Sequence, residues 1–229
     1  MIRKSDWKTS LILLSTPLIL AVYLYHGMHP AFEKYFPLLK SNVFFEIYSY
    51  TYEYFAALIL LFILPVFITR FILRENLRDY GLGLGDWKYG LRFVILSIII
   101  VFPILLLGSH ASDIRATYPH VRNVTNKPDL FMLVEFCYMF YYIGWEFFFR
   151  GYILFGLREK FGDFYAILIQ TVPSSIMHIG KPEGEFIGAI IVGIIFGYLV
   201  LRTKSIWYAF FIHLFIGIAI DILVVIQFH

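Results

Sequence analysis

The sequence predicts an all-α, polytopic integral membrane helix bundle with about seven transmembrane helices. Of its 229 residues, 60% are hydrophobic and only 15% are charged, and the mean hydropathy is +0.75. A soluble domain carries about a quarter charged residues. Several nearly uncharged runs also approach the roughly 20 residues that cross a bilayer as a helix. The small net charge of +3 does not indicate a nucleic-acid partner.

The apolar runs define the expected helices. They cover residues 10–26, 54–73, 89–108, 130–157, 164–177, 185–201 and 205–226. Residues 38–52 either form an interfacial helix or belong to an earlier start of the second span. The fourth run is long enough to tilt or protrude, and the fifth is short for a full crossing. Because no long linker divides the chain, residues 1–229 are expected to form one membrane domain.

Basic residues predict the orientation, because lysine and arginine concentrate in cytoplasmic loops. Strict alternation through seven spans places four basic groups on the N-terminal side. These are Arg3, Lys4 and Lys8; the group from Arg70 to Arg92; Arg158 and Lys160; and Arg202 and Lys204. The N-terminus is therefore expected inside, in the plasma membrane of a prokaryote, although loop 109–129 with Arg115, Arg122 and Lys127 then lies outside.

A carboxylate and a guanidinium interrupt the fourth apolar run. Glu146 and Arg150 are four residues apart, so they share a helical face and can pair. A charge in hydrocarbon costs at least a few kcal/mol, so each group needs a polar partner or a function. Glu135 lies within about 20° of Glu146 on the same face, three turns away. We expect Arg150 and Glu135 to support the site structurally or to line a cavity.

Two histidines occur in later apolar segments, His178 at the end of the fifth run and His213 midway through the last. Either one alone is typical of a histidine that hydrogen-bonds a neighbouring helix. Together with Glu146 they predict one catalytic site. Imidazole and carboxylate are usual ligands of a catalytic zinc, which activates a water for attack on an amide. The three residues are thus expected to hold water, with Zn²⁺ or another divalent metal, or without a metal.

Two other protease signatures are less consistent with the sequence. Gly85-Asp86 matches the glycine–aspartate pair of intramembrane aspartyl proteases, but it lies in a polar loop where Asp86 is expected to cap the third helix. Ser174 and Ser175 precede His178 at spacings that are ordinary on a helix. Neither signature has a second catalytic group beside it.

The order of these residues resembles the CAAX protease and bacteriocin-processing (CPBP, Abi-type) family of intramembrane proteases. Glu146 to Gly151 is similar to its first motif, His178 to its second, and Ser205-Ile206-Trp207 leading to His213 to its third. The resemblance predicts a protease core over residues 130–221. It implies an endopeptidase that cuts a peptide bond near the membrane surface, in a peptide or protein substrate that is prenylated or bacteriocin-like.

Two departures from the family pattern leave alternatives open. Trp145 stands where the family has a glutamate, and Gly217 stands where an asparagine or similar polar residue is usual. Glu183 or Glu185, in the glycine-containing turn after His178, could supply the missing carboxylate. Otherwise the chain is an inactive family member that acts as a membrane scaffold or immunity-type protein. A proton-coupled transporter is a third hypothesis, although the internal repeat typical of transporters is not evident.

Overall fold

The computed structural model describes residues 4–228, and the side chains from Asp6 onward. Arg3 and the side chain of Lys4, which enter the predicted orientation, lie outside that part. No β-strand occurs in the described range. The α-helices are α1 (Lys4–Val22), α2 (His29–Tyr35), α3 (Phe45–Ala57), α4 (Leu64–Phe67), α5 (Trp87–Gly108), α6 (Ser112–Thr117), α7 (Pro128–Glu146), α8 (Gly156–Ile176), α9 (Glu183–Thr203) and α10 (Trp207–Phe228).

Six helical stretches are long and apolar enough to cross a membrane, which confirms the predicted polytopic all-α bundle. They are Asp6–Gly27, Phe45–Ile72, Trp87–Gly108, Pro128–Ile176, Glu183–Thr203 and Trp207–Phe228. The second stretch starts at Phe45, so of the two alternatives for residues 38–52 the earlier start of the second span is right. The stretch continues beyond α3 through one π-helical segment before α4 and another after it.

The fourth stretch is two antiparallel limbs rather than one helix. Gly162 has φ 75° and ψ 164°, which no helical residue adopts. Trp145 and His178 would lie about 50 Å apart along an unbroken helix. Their ring centroids are only 5.4 Å apart, so the chain reverses direction at Gly162. The fourth and fifth helices expected from the sequence are both present, and the reversal brings their distant parts together.

The four basic regions meet at one end of the bundle. Three ion pairs connect them: Lys160 with Asp6 at 2.6 Å, Lys8 with Glu75 at 2.9 Å, and Arg202 with Asp86 at 2.9 Å. The N–H of Ile206 also donates to the carbonyl of Gly81 at 3.0 Å. Asp86 accepts a bond from the N–H of Tyr89 at 3.2 Å, which confirms its predicted role as a helix cap.

Small residues let the helices around the site approach closely. A Cβ on Gly193 or Gly197 of α9 would lie within 3.0 Å of Thr171 or Ile167 of α8. A Cβ on Gly144 of α7 would lie 2.6 Å from the carbonyl oxygen of Ala57. Such contacts are typical of membrane helices, which associate by close packing rather than by hydrophobic burial. These close contacts hold α7 against α3 and α8 against α9.

Candidate active site

The regular α-helix ends at Glu146, and Phe147–Phe155 continues as a π-helix. Every residue of this π-helical segment is buried. The π-helix is rare, occurs mostly as short bulges inside α-helices, and is frequent at functional sites, although this chain also has π-helical turns elsewhere. The hydrophobic pattern alone predicts an uninterrupted α-helix here, so the sequence gives no clear signal of this change.

Glu146 forms the centre of the site. Its side chain is fully buried, and its Oε1 accepts hydrogen bonds from Nδ1 of His213 at 2.7 Å and from Nη1 of Arg150 at 3.3 Å. Its second oxygen, Oε2, has no hydrogen-bond partner among the described residues 4–228. A buried carboxylate oxygen normally has a hydrogen-bond partner, so this one can accept a bond from a water or a substrate.

His213 takes one defined tautomer in this arrangement. Because Nδ1 faces a carboxylate, Nδ1 carries the proton and donates a hydrogen bond to Glu146. The Nε2 lone pair is then available as a base or a ligand. Aromatic rings enclose the imidazole, with ring centroids 4.6 Å away for Tyr142 and 6.0 Å away for Phe196.

Arg150 is an internal counter-ion rather than a side chain that reaches the headgroups. It is only 2% exposed, and its guanidinium lies 5.7 Å from the ring of Phe196 and 5.9 Å from the ring of Phe149. Cation–π contacts of this kind add to the attraction by Glu146. The guanidinium of Arg150 therefore lies beside the Glu146 carboxyl group as its buried partner.

His178 follows α8 and is half-buried. Its Nδ1–H donates to the carbonyl of Ser174 at 2.8 Å, which leaves Nε2 as the acceptor. Burial lowers the pKa of His178 to about 4, and the positive charge of Lys181 lowers it further than burial alone. The imidazole is therefore neutral at pH 7, as a base or a ligand must be.

Trp145 joins the two histidines. Its buried indole contacts the ring of His178 edge-on at 5.4 Å and the ring of His213 edge-on at 6.4 Å. The structure thus brings Glu146, Arg150 and His213 into direct contact and connects His178 to them through Trp145. The indole fills the position where the family motif carries a carboxylate.

A metal centre receives no geometric support from the described residues. Within residues 4–228 no three His, Cys, Asp or Glu side chains are grouped so that they could hold a metal ion. Glu146 already binds Nδ1 of His213 through Oε1. The chemistry derived from this site is therefore assigned to side chains alone, and a metal held by Glu146, His178 and His213 stays a prediction of the sequence.

A pair of acidic residues also lies on α7 and α10, the helices that carry Glu146 and His213. Glu135 of α7 hydrogen-bonds Asp221 of α10, and both side chains are almost fully buried. The sequence predicts a structural or cavity-lining role for Glu135 but gives no indication of this partner. A partner for Glu135 could have been sought at Asp221, because Asp221 is the one carboxylate in the last apolar run.

Glu183 and Glu185, the two carboxylates after His178, were expected in a flexible turn but lie in the first turn of α9. Glu183 is exposed at the first residue of α9. Glu185 accepts bonds from Nζ of Lys181 and from the hydroxyl of Tyr118, each at 2.8 Å. Glu185 therefore belongs to a separate ion pair. A helix begins where the glycine and proline were expected to keep the chain flexible.

Residues 127–219 match the family model described as type II CAAX prenyl endopeptidase Rce1-like. This segment is similar to the Rce1-like family. It covers about two fifths of the chain, contains Glu146, Arg150, His178 and His213, and ends before Asp221. The resemblance predicted from the sequence is confirmed. Comparison with curated proteins and with solved structures gave no match.

Proposed function

We propose that the chain is a membrane-embedded endopeptidase that hydrolyses a peptide bond near the membrane surface. The observation that carries this proposal is the unpartnered Oε2 of Glu146, fully buried beside His213 inside the Rce1-like segment. A buried carboxyl group with a free oxygen beside a histidine is suitably placed to act on a water molecule. The family match supports a protease, and the arrangement of Glu146 and His213 supports the mechanism proposed below.

In the proposed reaction, a water donates one hydrogen bond to Oε2 of Glu146 and lies beside the free Nε2 atom of His213, while His178 supports the site from the other side of Trp145. Glu146 takes a proton as the water oxygen attacks the substrate carbonyl carbon. The resulting tetrahedral intermediate collapses when the C–N bond breaks. Glu146 then returns the proton to the leaving amine, so the carboxylate is regenerated. The bonds from Arg150 and His213 hold Glu146 in its orientation.

The substrate is proposed to be a prenylated protein or a bacteriocin-like peptide. The printed description of the matching family names a prenyl endopeptidase. A catalytic carboxylate buried among apolar helices favours a substrate that enters the bilayer with an attached lipid or an apolar segment. The basic end of the bundle is proposed to face the cytoplasm, in the plasma membrane of a prokaryote.

The deciding experiment compares Glu146→Gln with the wild type in proteoliposomes, with a farnesylated CAAX peptide and its unprenylated counterpart as substrates. We expect Glu146→Gln to lower kcat/KM by about 10²–10⁴-fold, because an amide cannot accept the proton. Glu53→Gln is the matched control, since Glu53 is a buried carboxylate on α3 that binds His29 at 2.8 Å outside the Rce1-like segment. Equal cleavage by Glu146→Gln and wild type would contradict the proposal.

One observation favours a second candidate function, an inactive family member that serves as a membrane scaffold or immunity-type protein. Trp145 fills the space between the two histidines with an indole that cannot accept a proton. Under this alternative the wild-type protein cleaves neither peptide above background. The Glu146→Gln, His178→Ala and His213→Ala variants would then keep the wild-type phenotype in cells.

A further inference from the structure

Gly217 leaves a space that the hydroxyl of Tyr142 occupies. A Cβ built on Gly217 would overlap the hydroxyl oxygen of Tyr142 and lie 2.8 Å from its Cζ. Any side chain at this position of α10 would therefore displace the phenol. Gly217 is buried one helical turn after His213, and Tyr142 lies one turn before Glu146 on α7. The hydroxyl thus lies at the contact of the two helices that carry the Glu146–His213 pair.

The ring of Tyr142 is fixed at the same place. It is only 4% exposed, and its centroid lies 4.6 Å from the imidazole of His213, with 51° between the planes. The ring of Tyr138 packs on its other side at 4.5 Å. Held between His213 and Tyr138, with its hydroxyl over Gly217, the phenol has little freedom to move.

The hydrogen bonding of this hydroxyl leaves its proton available. The hydroxyl of Tyr138 is a polar neighbour of the Tyr142 hydroxyl. A phenol has one O–H donor besides its acceptor lone pairs, so Tyr142 can still donate to another group. The cation that faces α7 from the turn after α8, Lys181, is already bound to Glu185 at 2.8 Å. Arg150 is similarly bound to Glu146. Tyr142 is therefore the neutral donor beside His213.

We propose that the hydroxyl of Tyr142 donates a hydrogen bond to the substrate carbonyl oxygen and stabilises the oxyanion of the tetrahedral intermediate, in the space that Gly217 provides. This inference rests on the proposed endopeptidase function. The phenol keeps its proton throughout: the carbonyl oxygen gains negative charge when water attacks, and it loses that charge when the C–N bond breaks. Such donors act mainly on kcat, because their bond strengthens as the oxyanion forms.

The test measures kcat and KM for the farnesylated CAAX peptide in proteoliposomes. Tyr142→Phe keeps the ring and removes the donor, so we expect kcat to fall about 10²–10³-fold with KM within about twofold. Tyr54→Phe is the matched control, because Tyr54 is also a buried tyrosine and stacks on Tyr138 at 4.7 Å. It should keep the wild-type kcat.

Two further variants make the test independent of how well Tyr142→Phe folds. Gly217→Ala keeps the hydroxyl but pushes it aside, so kcat should fall at least about tenfold. The double variant Tyr142→Ala/Gly217→Asn supplies an amide donor from α10 and should recover part of the kcat lost in Tyr142→Ala. A wild-type kcat in Tyr142→Phe or Gly217→Ala, while Glu146→Gln is inactive, overturns the role of Tyr142 alone. A wild-type protein that cleaves nothing overturns both proposals.

Discussion

Two buried polar clusters join α7 to α10, and they differ in charge balance. The catalytic cluster, defined by Glu146, Arg150 and His213, surrounds one acid with two basic groups. The acid pair, defined by Glu135 and Asp221, places two acids together. A hydrogen bond between two carboxyl groups requires a proton between them. The same two helices hold one carboxyl group with two basic neighbours and one pair of carboxyl groups that contact each other.

The comparison shows why burial alone does not identify a catalytic carboxylate. Glu135 and Glu146 are both almost fully buried on one helix, and each has an oxygen without a partner. Glu146 contacts Arg150 and His213, whereas Glu135 contacts the carboxyl group of Asp221. A base must be deprotonated before it can act. The neighbours, rather than the depth, therefore assign the two acids to different roles.

The largest expected effect separates the two clusters by activity. His213→Ala removes the group that orients Glu146 and offers Nε2, so kcat/KM should fall about 10³-fold. Asp221→Asn, on the same helix, replaces one acid of the acid pair with a neutral group and should change kcat/KM by less than about threefold. Peptide cleavage in proteoliposomes measures both. Equal losses in the two variants would show that the clusters act as one unit.

The next effect tests the charge balance itself through stability. Arg150→Leu leaves Glu146 without its buried cation, which should lower the free energy of unfolding by about 3–5 kcal/mol. Arg202→Leu is the control, because Arg202 pairs with Asp86 where both side chains are largely exposed, and its unfolding should not change measurably. Unfolding in detergent followed by circular dichroism gives the values. An unchanged Arg150→Leu protein would show that Arg150 contributes no stabilising pair.

A smaller effect concerns His178, which Trp145 connects to the catalytic cluster. Its pKa is lowered from 6.5 to about 4 by burial and by Lys181, so the folded protein keeps it neutral while the unfolded chain takes up a proton in that range. The free energy of unfolding should therefore decrease as the pH falls from about 6.5 to about 4. In His178→Gln this decrease should be smaller. The difference between the two pH profiles, measured by denaturant unfolding, isolates His178 from other titrating groups.

Cleavage gives an independent check on the same residue. If His178 acts as a neutral group, its protonation should not reduce kcat/KM between pH 7 and pH 5, because its pKa lies near 4. A loss of activity centred near pH 6.5 that disappears in an active His178→Gln variant would contradict the lowered pKa.

The smallest effect concerns Trp145, which decides between the protease and the inactive scaffold. Trp145→Glu places a carboxylate beside both histidines, so cleavage per folded molecule should be preserved or rise a few-fold. The loss of a buried indole should lower stability at the same time, so rates are compared at equal amounts of folded protein. Trp145→Phe, which adds no carboxylate, is the control. A Trp145→Glu rate well below that of Trp145→Phe would show that the indole itself is required.

The sequence predicts the bundle and part of the site, for identifiable reasons. Apolar runs separated by charged loops are strong local signals, so the helices follow from hydropathy. The pairing of Glu146 with Arg150 is also local, because four residues make one turn. The pairing of Glu135 with Asp221 depends on how α7 crosses α10, which no local pattern encodes. The contact of Tyr142 with Gly217 likewise requires the packed structure, although the missing side chain at 217 is visible in the sequence.

The reversal at Gly162 also affects whether the number of predicted membrane crossings is even or odd. Counted by length and composition, Pro128–Ile176 is one stretch, and six crossings would bring both ends of the protein to the same compartment. The limb after Gly162 is the fifth of the seven spans predicted from the sequence, so the predicted number is odd. Asp6 contacts Lys160 at the basic end, while Gln227 binds Ser109 at 3.0 Å beyond the opposite end of α5. We therefore expect a reporter attached near residue 6 and another attached near residue 228 to sample different aqueous compartments.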